Sequence, residues 1–99
     1  MGKRGYWIAS VRIDDEEKYK KYLDYVSGPF GKYGGKYLVR AGRSKVVEGQ
    51  GRDRNIIIEF PDYDTALACY ASAEYQQAIL LRKDASINDI IVVEGHGLW

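Results

Sequence analysis

At residues 6–26 the chain reads YWIASVRIDDEEKYKKYLDYV, an apolar extended run followed by an acidic turn and an aromatic-rich amphipathic segment. The same order returns at residues 55–83, NIIIEFPDYDTALACYASAEYQQAILLRK. One more strand-like run follows each copy, at Lys36–Ala41 and at Ile90–Glu94. The pattern β-α-β thus occurs twice, which predicts a single α+β domain over residues 1–99 with four strands and two helices.

The helix boundaries follow from local chemistry. Asp14 or Asp15 is positioned to cap the first helix, because a carboxylate accepts hydrogen bonds from the free amides at a helix start. Ser27-Gly28-Pro29 is expected to break or kink that helix, since proline removes a backbone donor. In the second copy, Ser72 is expected to start a fresh turn and bend a helix that continues to about Lys83.

The strands predict a sheet whose two faces are both apolar. In the first strand, alternation places Trp7, Ala9, Val11 and Ile13 on one face and Tyr6, Ile8, Ser10 and Arg12 on the other. Ile56–Ile58 is apolar on both sides, and so is Ile90–Val93, which follows a turn predicted at Asn88-Asp89. A sheet with one face in water alternates apolar with polar residues instead.

Burial of the second sheet face therefore needs a partner. Two helices cover only one face of a four-stranded sheet, and each Å² of apolar area left in water forfeits about 25 cal/mol. We expect a homodimer packed sheet to sheet in an isologous arrangement. The alternative is a thin monomer in which the long loop over Gly42–Arg54 folds across the open face.

Composition excludes several classes of function. The formal net charge is +1, from 15 basic and 14 acidic residues, which argues against a nucleic-acid partner bound by phosphate neutralisation. Cys69 and His96 are the single cysteine and histidine, so the sequence holds no zinc-ligand cluster and no cofactor motif, and Cys69 is expected to be a packed thiol. No apolar run has the length of a membrane span or a signal peptide. We expect a cytoplasmic protein without a cofactor and without a membrane partner.

The central segment YGGKYLVRAG, residues 33–42, resembles the signature of the DUF1330 family of small uncharacterised proteins. The likeness continues in VEG at residues 47–49, in IIEFP at residues 57–61 and in CYASAEYQ at residues 69–76, and it reaches VEG at residues 93–95. Nearly the whole chain is covered, in order. Ala41 differs from the glycine common at its position, and Cys69 replaces a bulkier aromatic residue.

This resemblance implies a ferredoxin-like β-α-β-β-α-β fold with a four-stranded antiparallel sheet and two helices on one face. It places the chain in the dimeric α/β-barrel group, where the sheets of two subunits face each other. Relatives by fold in that group include cofactor-free monooxygenases, muconolactone isomerases and haem-dependent chlorite dismutases. Such a range of chemistry means that the resemblance supplies no single activity.

The candidate site residues are polar groups placed in or beside apolar elements. They are Arg40, Glu59, Tyr70, Ser72, Tyr75 and Arg82. A buried charge needs a partner, so Glu59 is expected to pair with Arg40 or with Arg82. Two interpretations stay open at this point: an internal salt bridge, or a pocket near the sheet and the second helix in which an arginine grips a carboxylate.

Three functions are compatible with these residues. The first is a dimeric protein that binds a small anionic or aromatic molecule without a metal. The second is a cofactor-free enzyme of the monooxygenase or isomerase type, in which Glu59 acts as a general base if burial raises its pKa. The third is a structural or regulatory dimer without a ligand.

Overall fold

The computed structural model of the chain describes residues 2–97. Its elements in chain order are β1 (Gly5–Ile13), α1 (Glu16–Lys32), β2 (Lys36–Arg40), β3 (Arg54–Phe60), α2 (Tyr63–Ala71), α3 (Ala73–Leu81) and β4 (Ser86–Glu94). The strands form one antiparallel sheet in the order β2-β3-β1-β4. The predicted α+β architecture with a four-stranded antiparallel sheet is confirmed, with three helices in place of the expected two.

Short polar side chains start each helix. Asp15 accepts a hydrogen bond from the backbone amide of Lys18 at 3.1 Å, at the beginning of α1. Asp62 accepts from the amide of Thr65 at 2.7 Å, at the beginning of α2. Ser72 ends α2 and caps α3, so the bend predicted at this residue is confirmed and divides the second helix in two.

The break predicted at Ser27-Gly28-Pro29 is wrong, because α1 continues through Pro29 for one more turn. Proline removes one donor only, and its carbonyl still accepts from the amide of Tyr33 at 3.2 Å. Beyond the proline, the ring of Phe30 packs edge-on against Trp7 with 5.2 Å between centroids. Burial of Phe30 thus holds a helical turn that local propensity alone disfavours.

The turn predicted at Asn88-Asp89 is also wrong, since both residues lie within β4 and the turn occupies residues 82–85. The polar side chains are satisfied without leaving the strand. Asn88 donates from Nδ2 to the hydroxyl of Tyr19 at 3.4 Å. Asp89 forms an ion pair with Arg52 of the loop before β3 at 2.6 Å.

The helices cover one side of the sheet, which we call the inner face. It carries Trp7 and Val11 of β1, which are 2% and 1% exposed. The side chains of Ile58 and Phe60 on β3 are likewise buried there. The face assignment predicted for β1 is confirmed, and the hydrophobic core lies between the inner face and the helices.

The opposite side, the outer face, carries an apolar row that crosses the entire sheet. The strand registers place Ile91, Ile8, Ile57 and Val39 side by side on β4, β1, β3 and β2. Ile91 is 58% exposed and Ile8 is 40% exposed. The loop before β3 reaches this face only at its margin, where Arg52 donates to the carbonyl of Ser10 at 3.0 Å. The row itself stays uncovered in the single chain.

Candidate functional site

A cavity of about 260 Å³ lies between α1 and the inner face of the sheet. All four strands contribute to its floor, and α1 forms its roof. Its lining residues are Trp7, Ala9, Val11, Tyr19, Tyr22, Leu23, Val26, Phe30, Tyr37, Arg40, Ala41, Arg54, Ile56, Ile58, Asn88 and Ile90. The lining is therefore mostly apolar and aromatic, with a few polar groups, as small-molecule sites commonly are.

The cavity arises from a change of side-chain size along β1. Trp7 fills the space between sheet and helices at one end of the strand, in contact with Phe30 and Tyr75. The next two inner-face positions hold the much smaller Ala9 and Val11. Protein interiors pack densely, so a small residue opposite a rigid helix leaves a void that its neighbours do not close.

Arginines stand at the solvent-exposed end of the cavity. The guanidinium of Arg40 stacks on the ring of Tyr37, 4.6 Å from its centroid, and makes no ion pair with any residue from 2 to 97. Arg54 lies beside it and pairs with the exposed Glu16 at 3.1 Å. Arg40 is thus a cation held in place by an aromatic ring, with its donors available for an anion.

A second polar group lies on the helical side of the cavity and bonds to Asn88 of the edge strand β4. Tyr19 of α1 is 4% exposed, and its hydroxyl accepts the hydrogen bond from Asn88. Burial raises the pKa of Tyr19, although the hydrogen bond from Asn88 partly opposes that shift. The phenol therefore stays protonated at neutral pH and presents a hydroxyl in an otherwise apolar region.

Two of the candidate residues lie behind the cavity wall. The hydroxyls of Tyr75 and Tyr22 are 2.8 Å apart, and Tyr75 also accepts from Arg82 at 3.4 Å. The Arg82 guanidinium lies 5.0 Å from the centroid of the Tyr22 ring. Tyr22 lines the cavity, whereas Tyr75 and Arg82 do not, so these two residues support the wall and fasten α3 to α1.

Three further candidates have structural positions away from the cavity. Ser72 accepts from the amide of Tyr75 and donates to the carbonyl of Cys69, so its hydroxyl is used by the helix junction. Tyr70 lies on α2, 38% exposed, with its ring 5.7 Å from that of Trp7. Glu59 lies on the outer face, where it accepts from the hydroxyl of Tyr6 at 3.1 Å.

The expected pairing of Glu59 with Arg40 or Arg82 is therefore not formed. Arg40 pairs in register with Ile56 and Glu59 pairs with Tyr6, which places the two charges on opposite faces of the sheet. A bulge in β2 between Tyr37 and Val39 shifts Arg40 onto the inner face. Simple alternation from the sequence does not reveal such a bulge.

The cavity also differs in place from the pocket expected near the second helix. Its helical wall comes from α1, and neither α2 nor α3 contributes a lining residue. The reason is that Trp7 packs under the second helical segment, where its indole donates to the carbonyl of Ala66 at 2.8 Å. Tyr75, which is fully buried, occupies the remaining space there.

The residues that line the cavity are better suited to binding a ligand than to acid–base catalysis. Among the described residues, none that lines the cavity is a carboxylate, a histidine or a cysteine. Cys69 is buried as expected, its thiol donates to the carbonyl of Pro29, and burial raises its pKa to about 12. Residues 2–97 hold no group of three metal-ligating side chains, and none of their helices is long and apolar enough to cross a membrane.

Sequence reasoning did not identify Arg54, Asn88, Tyr19 and Tyr22 as cavity residues. The signal for the void is the small Ala9 that follows Trp7 on the same strand face. Asn88 could not be found, because its position in a strand depends on pairing with Val11 across the sheet.

The profile of the domain of unknown function DUF1330 matches residues 4–96, and the chain belongs to this family. The expectation drawn from the central YGGKYLVRAG segment is thereby confirmed. No curated protein matches the chain.

Solved structures share the fold at low sequence identity. A protein of unknown function from Rhodopseudomonas palustris is 17% identical, with 95% of this chain and 83% of that chain covered and a TM-score of 0.74. A dimeric ferredoxin-like protein of unknown function from Thermobifida fusca is 11% identical over 95% and 92%, with a TM-score of 0.63. SnoaB, a cofactor-independent oxygenase from Streptomyces nogalater, is 7% identical over 92% and 91%, with a TM-score of 0.61. At these identities the likeness concerns the fold alone.

Proposed function

We propose that this DUF1330 protein binds a small aromatic anion in the cavity between α1 and the sheet. The observation that carries this proposal is the Arg40 guanidinium, stacked on Tyr37 at the exposed end of an apolar cavity without a carboxylate partner. Arginine presents parallel donors that match a carboxylate. Because the ring already orients Arg40, less side-chain entropy is lost when the anion binds.

The cavity volume sets the size of the ligand. An apolar cavity of about 150 Å³ holds one benzene molecule. At about 260 Å³, the present cavity has room for roughly two fused rings. The aromatic side chains Tyr22, Phe30 and Tyr37 line it, and they favour a flat ring through edge and face contacts. A bicyclic aromatic carboxylate fits both the size and the charge.

Titration calorimetry with 2-naphthoate and neutral 2-naphthol tests the proposal. Wild type should bind 2-naphthoate, and Arg40→Ala should lose at least tenfold in affinity for it while binding 2-naphthol unchanged. Arg43→Ala is the matched control, because Arg43 is exposed and does not line the cavity. The melting temperature of Arg40→Ala should equal that of wild type. Absence of naphthoate binding, or equal affinity in Arg40→Ala, overturns the proposal.

We also propose that a second copy of the chain covers the outer face. The support is the apolar row from Ile91 to Val39, whose members stay accessible in the single chain. An isologous dimer would bury this row against itself, which is the usual solution for a self-complementary apolar face. The homodimer predicted from strand patterning remains a proposal, in agreement with the dimeric neighbour from Thermobifida fusca.

Light scattering after size-exclusion chromatography tests the dimer. Ile91→Glu should convert it to a monomer, because a desolvated charge would stand in the interface. Leu80→Glu is the matched control, since Leu80 is 62% exposed on α3, away from this face. A monomeric wild-type protein at micromolar concentration would disprove the sheet-to-sheet arrangement.

Binding is supported better than the alternative of a cofactor-free monooxygenase or isomerase. That alternative assigned the general base to Glu59, which lies on the outer face and bonds to Tyr6. The pKa of Tyr22 is raised well above its ordinary value, chiefly by burial, so this cavity phenol is a poor base at neutral pH. Turnover of 2-naphthoate under air by wild type, lost in Tyr22→Phe, would reverse this preference.

A further inference from the structure

We propose that the ligand carries an uncharged acceptor oxygen at the end opposite its anionic group, and that Tyr19 recognises this oxygen while Asn88 orients Tyr19. This inference rests on the proposed binding function and narrows its ligand class. The ligand is then a two-ring carboxylate with a carbonyl or ether oxygen at the far end. Tyr19 is the residue that determines the specificity, and Asn88 is a positioning residue.

The strand order separates the two recognition points. Arg40 belongs to β2 and Asn88 to β4, which are the two edge strands of the sheet. Three inter-strand spacings lie between them, about 14 Å between backbones. Arg40 lines the cavity from β2, and Tyr19, which bonds to Asn88, lines it from α1. A ligand spanning that space therefore meets a cation at one end and a phenol at the other.

The Tyr19 hydroxyl can donate a hydrogen bond that it does not make within the described part of the chain. Its oxygen accepts from Nδ2 of Asn88, and among residues 2–97 no group accepts the phenolic proton. Tyr19 is 4% exposed and lines the cavity. A buried donor left without an acceptor is unfavourable, so binding is favoured when a ligand supplies an acceptor.

The direction of the hydrogen bond between Asn88 and Tyr19 follows from the orientation of the Asn88 amide, which Ser86 sets. Ser86 donates from its hydroxyl to Oδ1 of Asn88 at 2.5 Å. The carbonyl side of the amide is thus engaged, and the NH₂ side faces Tyr19. Since Tyr19 already receives that hydrogen bond, its remaining capacity is to donate. The site should therefore prefer an acceptor such as a ketone or an ether to an apolar group of the same shape.

The test compares 6-methoxy-2-naphthoate with 6-ethyl-2-naphthoate, which have nearly the same shape and differ in one acceptor oxygen. The 2,6-substitution places the carboxylate and the variable group at opposite ends of the rings. Calorimetry should show that wild type binds the methoxy compound at least fivefold more tightly, the amount expected from one neutral hydrogen bond of about 1 kcal/mol. In Tyr19→Phe this preference should fall to about one or invert.

Two further variants separate recognition from folding. Asn88→Ala should reduce the methoxy preference without removing it, because Tyr19 keeps its hydroxyl and loses its orientation. Tyr25→Phe, at a 41% exposed tyrosine of the same helix outside the cavity, should keep the wild-type preference. Equal binding of both compounds by wild type, or an unchanged preference in Tyr19→Phe, overturns the inference. The proposed function still holds in that case if wild type binds 2-naphthoate. If no naphthoate binds wild type, both are overturned.

Discussion

The two ends of the layer between the helices and the sheet are both apolar but are packed differently. At the packed end, the centroid of the Trp7 ring lies 4.9 Å from that of Tyr75 and 5.2 Å from that of Phe30. At the hollow end, Ala9 and Val11 occupy the equivalent strand face and leave about 260 Å³ open. Stability is therefore concentrated at one end, and the other end retains a void with polar groups at its borders.

The largest effect is expected from emptying the packed end. Trp7→Ala should lower the free energy of unfolding by about 3–5 kcal/mol, because a buried indole and its contacts are lost. Urea denaturation followed by circular dichroism measures the change, with Trp7→Phe as the milder control. A loss below about 1 kcal/mol would mean that the two ends do not differ as described.

Filling the hollow end should act on binding and spare the fold. In Ala9→Leu the longer side chain enters the cavity, so naphthoate affinity should fall more than tenfold. The free energy of unfolding should change by less than about 1 kcal/mol, because the added methyl groups occupy existing space. A destabilisation of about 1–3 kcal/mol, typical of overpacking, would show that the space is not available in solution.

Alkaline pH should lower the free energy of unfolding, because the cavity contains buried phenols that resist ionisation. Burial raises the pKa of Tyr22 well above its ordinary 10.0 in the folded state. The folded chain then binds the proton more tightly than the unfolded chain, so this stabilisation is complete below pH 10.0 and is lost as the pH rises through the folded-state value. Chemical denaturation between pH 9 and 12 should show a shallower decline for Tyr22→Phe than for wild type. Parallel declines would contradict the assignment.

The smallest effect is expected at the cavity rim. Ala41 has φ of 54°, in the left-handed region where a Cβ costs about 1–2 kcal/mol. Glycine removes that strain and adds flexibility to the unfolded chain, so Ala41→Gly should raise stability by about 1 kcal/mol or less. Calorimetric melting gives the value, and Ala9→Gly, at ordinary strand geometry, should instead destabilise. A lower melting temperature in Ala41→Gly would contradict the strain argument.

Most of the fold could be predicted from local patterns. Alternation along β1 identified its inner face, the acidic residues after β1 identified the start of α1, and Ser72 identified the start of α3. The misplaced turn at Asn88-Asp89 and the misplaced break before Phe30 have one physical cause. In both cases tertiary contacts satisfied residues that local propensity places outside regular structure.

Less of the candidate site could be predicted. Arg40 was identified because a charge follows an apolar strand, and the structure places it at the cavity. Glu59 was selected on the same argument, yet it lies on the outer face. The bulge in β2 places Arg40 on the inner face, and a bulge depends on how β2 pairs with β3.

The sequence by itself determined the order of strands and helices, the side of β1 that is buried and the membership of the DUF1330 family. These properties depend on residues that are close along the chain, and the sequence shows their hydrophobic periodicity and capping residues directly. The tertiary structure alone decided that the void lies under α1, that Arg40 and Asn88 border it from opposite edge strands, and that Glu59 does not border it. Such positions depend on strand register and on the volume left between packed elements, which no local stretch of sequence specifies.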